Sequence, residues 1–276
     1  MELTRLEEDQ RRFFDENGYL VVPNALTPQE VAQLTAVSDR MIEEAEREEY
    51  QSYNQYYAQQ RPMIVQEPAF HPLLAHSATV PLVVQLLSPN IHLHTTAIIF
   101  KYPQANEEEA PYRVWHRDIG ITEDLGHEGI VRAGIKVGYC LTDFPAPESG
   151  FTKFVPGSHL LQTPLPIPRG QVDPGSAVDL CLNAGDAFLF ENRIFHTAAP
   201  NLSQRTSKVV IFGYSYRWMG GRRDLMELVQ PGSDVLDQVD AIRKQLLGGG
   251  VRRVGRLGQR ARHRAGARGV DRADLI

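Results

Sequence analysis

The sequence is poor in cysteine: Cys140 and Cys181 are the only two among 276 residues, far apart and without CxxC spacing. That count argues against a disulfide framework and against a cysteine-built zinc site. A reducing cytoplasm is the expected setting, with both residues as buried thiols. Long apolar runs are also lacking, and none approaches the ~20 residues of a membrane span. The opening MELTRLEEDQRRFF is acidic, without the basic start and apolar block of a signal peptide. No internal repeat and no dinucleotide-binding glycine pattern is present.

Positive charge is scarce in most of the chain. The net charge is −5, but from Gly248 onward eight arginines face only Asp271 and Asp274. The remainder therefore carries 21 basic against 32 acidic residues, a net of −11. An acidic body is a poor partner for nucleic acid, whose binding leans on phosphate neutralisation. The Gly/Arg/Ala-rich end has few large apolar side chains and reads as a solvated tail. The expected division is one folded domain over 1–247 and a dispensable basic tail over 248–276.

An apolar content of 42% and a charged content of 23% suit a soluble globular chain able to bury a core. Tyr19 to Val22 read as a short strand ended by Pro23. Thr27, Pro28 and Glu30 then form a capping box with proline at the first helical position. Val31, Leu34, Val37 and Met41 recur at helical spacing, so one face of that helix packs on something. Past residue 90 the texture changes to short β-rich runs: HLHTTAIIFKYP, YRVWHRD, GIKVGYCL, FTKFVPGSH, AVDLCL, DAFLFENRIFH and KVVIFGYSYRW. Many short strands at this interval indicate a sandwich or barrel. The expected fold is mainly β, a double-stranded β-helix (jelly roll, cupin-like) with N-terminal and flanking helices, eight strands following the first helices.

Within YRVWHRDIG, His116 and Asp118 stand two apart. On a strand, such residues share a face, while Trp115 and Arg117 point the other way. Alone they are either a hydrogen-bonded pair or two-thirds of a metal site. His196 ends the run AGDAFLFENRIFH, at a strand end, as a ligand at a barrel mouth should. Two histidines and a carboxylate on one face leave three open positions on an octahedral ion, the arrangement of non-haem Fe(II) oxygenases.

The opening FFDENGYLVVPNALTPQEVAQL, the WHRD pair, the FVPGSHL turn and AGDAFLFENRIFHTAAPNLSQRTSKVVIFGY occur in this order. On these pieces, spanning roughly residues 10 to 218, the chain resembles the phytanoyl-CoA dioxygenase family of Fe(II)- and 2-oxoglutarate-dependent oxygenases. The resemblance implies that His116, Asp118 and His196 are iron ligands and the catalytic centre. It implies Fe(II), 2-oxoglutarate and O2 as cofactor and co-substrates, with release of succinate and CO2. Hydroxylation of a C–H bond is the default outcome; desaturation, epimerisation or cyclisation are variants. Asp118 is inconsistent with related halogenases, which replace the carboxylate by a small residue.

The resemblance also implies a basic residue beyond the distal histidine that holds the far carboxylate of 2-oxoglutarate. Arg205 is the residue expected there, with Ser207 as an accompanying hydroxyl and Lys208 as the competing charge. Here the chain departs from many relatives, which carry this arginine eleven residues after the distal histidine; that position is Ser207.

Other features receive plainer readings. His159, in PGSHL, is read as structural. His92 and His94 are read as structural or pocket-lining. YQSYNQYY, residues 50 to 57, lines a pocket or forms a surface segment. The loops at 103–113 and 121–130 flank the metal pair and are the expected specificity elements, their acidic residues favouring a neutral or cationic substrate. The acidic body offers no patch for a CoA thioester, so the expected partner is a small molecule of secondary metabolism. No nucleic-acid or membrane partner is expected, and the protein is read as a monomer or homodimer. A reading from another class stays open: a non-catalytic jelly-roll binding module.

Overall fold

A computed structural model describes residues 4–47, 55–61, 63–106, 113–119, 125–229 and 232–248. The basic end from residue 249, most of the tyrosine-rich segment and the acidic parts of both flanking loops lie outside the described residues.

Helix α1 (Glu8–Asn17) leads through Gly18, in the left-handed conformation that glycine adopts without strain, into β1 (Tyr19–Val22). Helix α2 (Pro28–Arg47) starts as its sequence dictates: the Glu30 carboxylate accepts from the Thr27 backbone N–H and hydroxyl, both at 2.8 Å. Leu34 and Met41 are buried, and Val31 and Val37 pack against the same core. After β2 (Tyr57–Gln60) and α3 (Val80–Leu86) come β3 (Ile91–Lys101), β4 (Gly134–Cys140), β5 (Thr152–Phe154), β6 (Val178–Asp179), β7 (Ala187–Glu191), β8 (His196–Ala198) and β9 (Ser207–Tyr216). Three short helices follow: α4 (Arg223–Leu228), α5 (Asp234–Asp237) and α6 (Ala241–Leu246).

The strands form a six-stranded sheet, in the order β1-β7-β4-β9-β3-β2, and a three-stranded sheet, β6-β5-β8. All ladders are antiparallel. Strand alternation divides the core in two. One set of side chains from the large sheet, including Ile98, Val137, Tyr139, Leu189, Val210 and Phe212, packs with the helices. The other set, Ala97, Cys140, Phe188, Phe190, Val209 and Ile211, meets Phe144, Phe151 and Phe154 in the barrel interior.

The β-helix expectation holds, with differences in detail. Strands β1 and β2 join the large sheet, so the β-structure does not wait for residue 90. YRVWHRD contributes an isolated bridge, His116 to His196, instead of a strand. The expected flanking helices include three after the barrel, whose Leu225, Val229, Val235, Leu236, Leu246 and Leu247 belong to the core. Cys140 is buried, but Cys181 is exposed, because it lies at the edge of the β6 connection.

Candidate metal centre

The isolated bridge is what builds the site. Backbone N–H groups of His116 and His196 each donate to the other's carbonyl at 3.1 Å, and the two rings lie 4.3 Å apart between centroids. One residue beyond Arg117, the Asp118 N–H donates to the Asn192 carbonyl at 2.8 Å. Asn192 is itself pinned, its Oδ1 accepting from the N–H groups of Ala133 and Gly134. Ile119, directly after the carboxylate, holds a φ of 74°. A β-branched residue resists that conformation, so the surrounding structure imposes it.

His116, Asp118 and His196 present one donor atom each, all within 4.8 Å of one another, a spacing that small side-chain rotations close onto one ion. Both imidazoles are oriented by their own backbone. His116 Nδ1 donates to the Val114 carbonyl at 2.8 Å and His196 Nδ1 to the Ile194 carbonyl at 3.0 Å, which leaves Nε2 as the free lone pair in each. Burial among Phe154 and Phe190 pushes the His196 value down to about 3, so this ring is neutral, as a metal ligand must be. For Asp118, burial alone would raise the carboxyl, but the Lys136 ammonium overrides it and holds it down at about 2. Lys136 Nζ donates to Asp118 Oδ1 at 2.6 Å. Asp118 Oδ2, buried and 3.8 Å from His196 Nε2, has no hydrogen-bond partner. An ionised oxygen buried without a donor, facing two oriented lone pairs, fits a divalent cation.

Beside the triad opens a cleft lined by His94, Thr95, Asp118, Ile119, Lys136, Asn192, Gly213 and Tyr214, among others. His94 thus lines the site, while His92 is buried against the Ser215 hydroxyl. His159 is structural: it is buried, and its Nε2 lies 2.9 Å from the Asp15 carbonyl. Arg117 points away from the metal side and donates to the Ser158 and Leu161 carbonyls, tying the triad segment to the PGSHL turn.

The residues expected to anchor the far carboxylate lie apart from the triad. Arg205 is not brought to the triad: its side chain is 68% exposed, with Asp143 at 3.9 Å. Lys208 points out of the barrel, to Asp39 at 2.6 Å. Ser207 faces inward, its hydroxyl donating to the Gly150 carbonyl at 3.3 Å. The physical reason is register. Gly213 sits opposite Lys136 at the metal end, and Ser207 lies six residues back along β9, about 20 Å at 3.3 Å per residue. Lys136 was missed by the sequence reading. Its signal was available: Gly134, Lys136, Gly138 and Cys140 alternate along one face, and the lysine is the one charged member.

A family description, phytanoyl-CoA dioxygenase (PhyH), matches residues 14–209. No curated protein matches the chain. Among solved structures, HygX from Streptomyces hygroscopicus, with nickel and 2-oxoglutarate bound, is 17% identical with a TM-score of 0.60, over 77% of this chain and 88% of that one. SnoK, a non-haem α-ketoglutarate-dependent carbocyclase from nogalamycin biosynthesis, is 20% identical with a TM-score of 0.58, over 84% and 96%. SnoN, the epimerase of the same biosynthesis, is 22% identical with a TM-score of 0.57, over 75% and 80%. These likenesses show the shared fold. The family match covers most of the chain, which belongs to the phytanoyl-CoA dioxygenase family and is a 2-oxoglutarate-dependent oxygenase.

Proposed function

We propose that His116, Asp118 and His196 hold one Fe(II) ion and that the enzyme oxidises a C–H bond of a small molecule, hydroxylation being the default. The observation that carries the assignment is the unpartnered Asp118 Oδ2 beside two imidazoles whose Nδ1 protons are committed to backbone carbonyls. When bound, iron with 2-oxoglutarate and O2 supplies the oxidising equivalents, and the oxo acid leaves as succinate and CO2. The chain's own part is to hold the two rings neutral and oriented, keep Asp118 ionised, and exclude water behind His196 with Phe154 and Phe190. His116 is exposed and forms the open side.

A second outcome, epimerisation or ring closure by the same centre, is favoured by the activities of SnoN, an epimerase, and SnoK, a carbocyclase. Those relatives also support a substrate from secondary metabolism. We place the catalytic domain at 1–247, with the basic end outside it, in a cytoplasmic monomer or homodimer. No helix of the described residues is long and apolar enough to cross a membrane.

Anaerobic reconstitution with Fe(II), then O2 and 2-oxoglutarate without substrate, tests the class. Slow succinate formation that disappears in His196→Ala is expected. Stoichiometric metal binding by His196→Ala would overturn the ligand set, and a wild type that makes no succinate would favour a binding module.

A further inference from the structure

We propose that Arg117 is the positioning residue of the metal centre: through the fork of its guanidinium it locks the segment bearing His116 and Asp118 to the strand bearing His196. The inference rests on the ligand assignment above and gives a role to a residue that the ligand set does not include.

The need for a lock follows from the pairing. The segment that carries two of the three ligands is held by its backbone at three points. These are the bridge to His196, the Val114 N–H on Thr197 Oγ1 and the Asp118 N–H on the Asn192 carbonyl. No ladder continues between them, so side chains must set the twist that aims the ligands. Arg113, Trp115 and Arg117 alternate on the side away from the metal, and each takes hold of the chain between Ser158 and Asp173. Arg113 Nε lies 3.2 Å from Asp173 Oδ1, and Trp115 Nε1 donates to the Val172 carbonyl at 3.0 Å.

Arg117 makes the most contacts of the three. One terminal nitrogen of its guanidinium donates to the carbonyls of Ser158 at 2.7 Å and Leu161 at 2.8 Å. The other donates to His127 Nδ1 at 2.8 Å, on the loop that follows the segment, since a guanidinium has no acceptor. Its Cζ stands over the Phe195 ring, 4.3 Å from the centroid. Phe195 directly precedes His196. The Phe195 N–H donates to Ser158 Oγ at 2.8 Å, and its carbonyl accepts from the Val155 N–H at 3.0 Å. Arg117, Ser158 and Phe195 thus close a ring of contacts on the outward face. Residue 117 stands between two ligands and residue 195 beside the third, so this ring fixes all three through their backbone.

Charge makes the same point. Arg117 is only 6% exposed, and among the described residues no carboxylate pairs with it. A cation removed from water without a counter-ion costs stability, which hydrogen bonds to carbonyls offset only in part. An apolar side chain would fill the space without that cost. What it lacks is a planar fork that holds several acceptors at set angles. The guanidinium therefore contributes geometry, and the geometry is that of the ligands on either side of it.

The test uses full-length protein. Ni(II) is titrated calorimetrically, Co(II) absorption reports the ligand field, and thermal unfolding is followed with and without Ni(II). Arg117→Met keeps a stem over Phe195 and removes the donors. Its Ni(II) affinity should fall about 10- to 100-fold, the usual cost of losing a partner that orients metal ligands. Its Co(II) spectrum should depart from that of wild type, and the rise in melting temperature on adding Ni(II) should shrink with the affinity. Arg117→Lys should recover only part of the loss, because an ammonium cannot hold two carbonyls and His127 in one plane. Val83→Ala, in the helix-side core away from the triad, is the control, with lowered stability but wild-type Ni(II) affinity and Co(II) spectrum. An equal loss of affinity in this control would mean that any destabilisation loosens the site, which overturns the proposal. So does an Arg117→Met protein that is less stable yet binds both ions as wild type does, since Arg117 would then only pack. Full recovery in Arg117→Lys overturns it as well, because a positive charge alone would suffice. Should Arg117→Met not fold, Arg117→Lys and Ser158→Ala decide. Each must lower Ni(II) affinity, and wild-type affinity in both sinks the idea. Failure of the metal assignment looks different: wild type would then bind no stoichiometric Ni(II).

Discussion

Two lysines project into the same barrel from strands on either side of β9, and their surroundings could hardly differ more. Lys136 lies at one end, opposite Gly213, with a carboxylate at 2.6 Å and an open cleft before it. Lys101 lies at the other, opposite Ser207, where its partners are the carbonyls of Phe151 at 3.0 Å and Ala199 at 3.4 Å. Burial pulls Lys101 down to about 7. Residue type and strand phase are the same in both, so neither decides what the charge is for. A carboxylate at hydrogen-bond distance makes one the partner of an ionised aspartate. The other hydrogen-bonds only to carbonyls, and burial outweighs the pull of Asp179 and Glu148 on its charge.

The comparison breaks most completely at the metal. Replacing His116, Asp118 or His196 by Ala should abolish metal binding and succinate formation while leaving the inner phenylalanine cluster folded, as circular dichroism and calorimetry would show. The next largest effect concerns the wall between the two ends. Gly138→Ala would drive a methyl into the Phe188 ring, and overpacking of this kind destabilises by about 1–3 kcal/mol. Denaturant unfolding measures it, and an unchanged midpoint would show that the cluster is looser than its geometry implies.

The smallest effect separates the lysines by pH. The folded-state value of Lys101 lies below its ordinary 10.5, so above pH 7 the unfolded chain holds this proton more firmly than the native one. Its contribution to stability therefore grows as pH rises through that window. The difference in unfolding free energy between wild type and Lys101→Met should shift in favour of wild type from pH 7 to 9. A pH-independent difference would mean that Lys101 is hydrated. Arg205→Ala, two residues beyond the strand and exposed, should change neither stability nor 2-oxoglutarate affinity measurably.

Much of this was legible beforehand, and the failures have physical reasons. The capping box at Thr27 and the long run Ile91–Lys101 are local signals, and both appear as written. The triad was legible because His116 and Asp118 share a face over a span too short to need a full strand. The bridge to His196 does what a ladder would have done. The pairing of β1 with β7 was not legible, since nothing local in YLVV says that its partner lies near residue 190. Arg205 was chosen by residue type and distance from His196, without register, and it stands exposed just before β9. Lys136 escaped notice because its strand looked like ordinary core.

The pairing of Tyr19 with Phe190 has a consequence for how the protein is made. Synthesis runs from residue 1, so β1 waits about 170 residues for its neighbour, and β3 waits about 105 to 125 for β9. Contacts of such separation form late and slowly. His116 and Asp118 emerge early, yet the bridge that orients them exists only once His196 has left the ribosome. A nascent or prematurely terminated chain therefore carries at most two of the three ligands. The cell is spared a half-built oxidant, because the last ligand to be synthesised is also the one that brings the others into place.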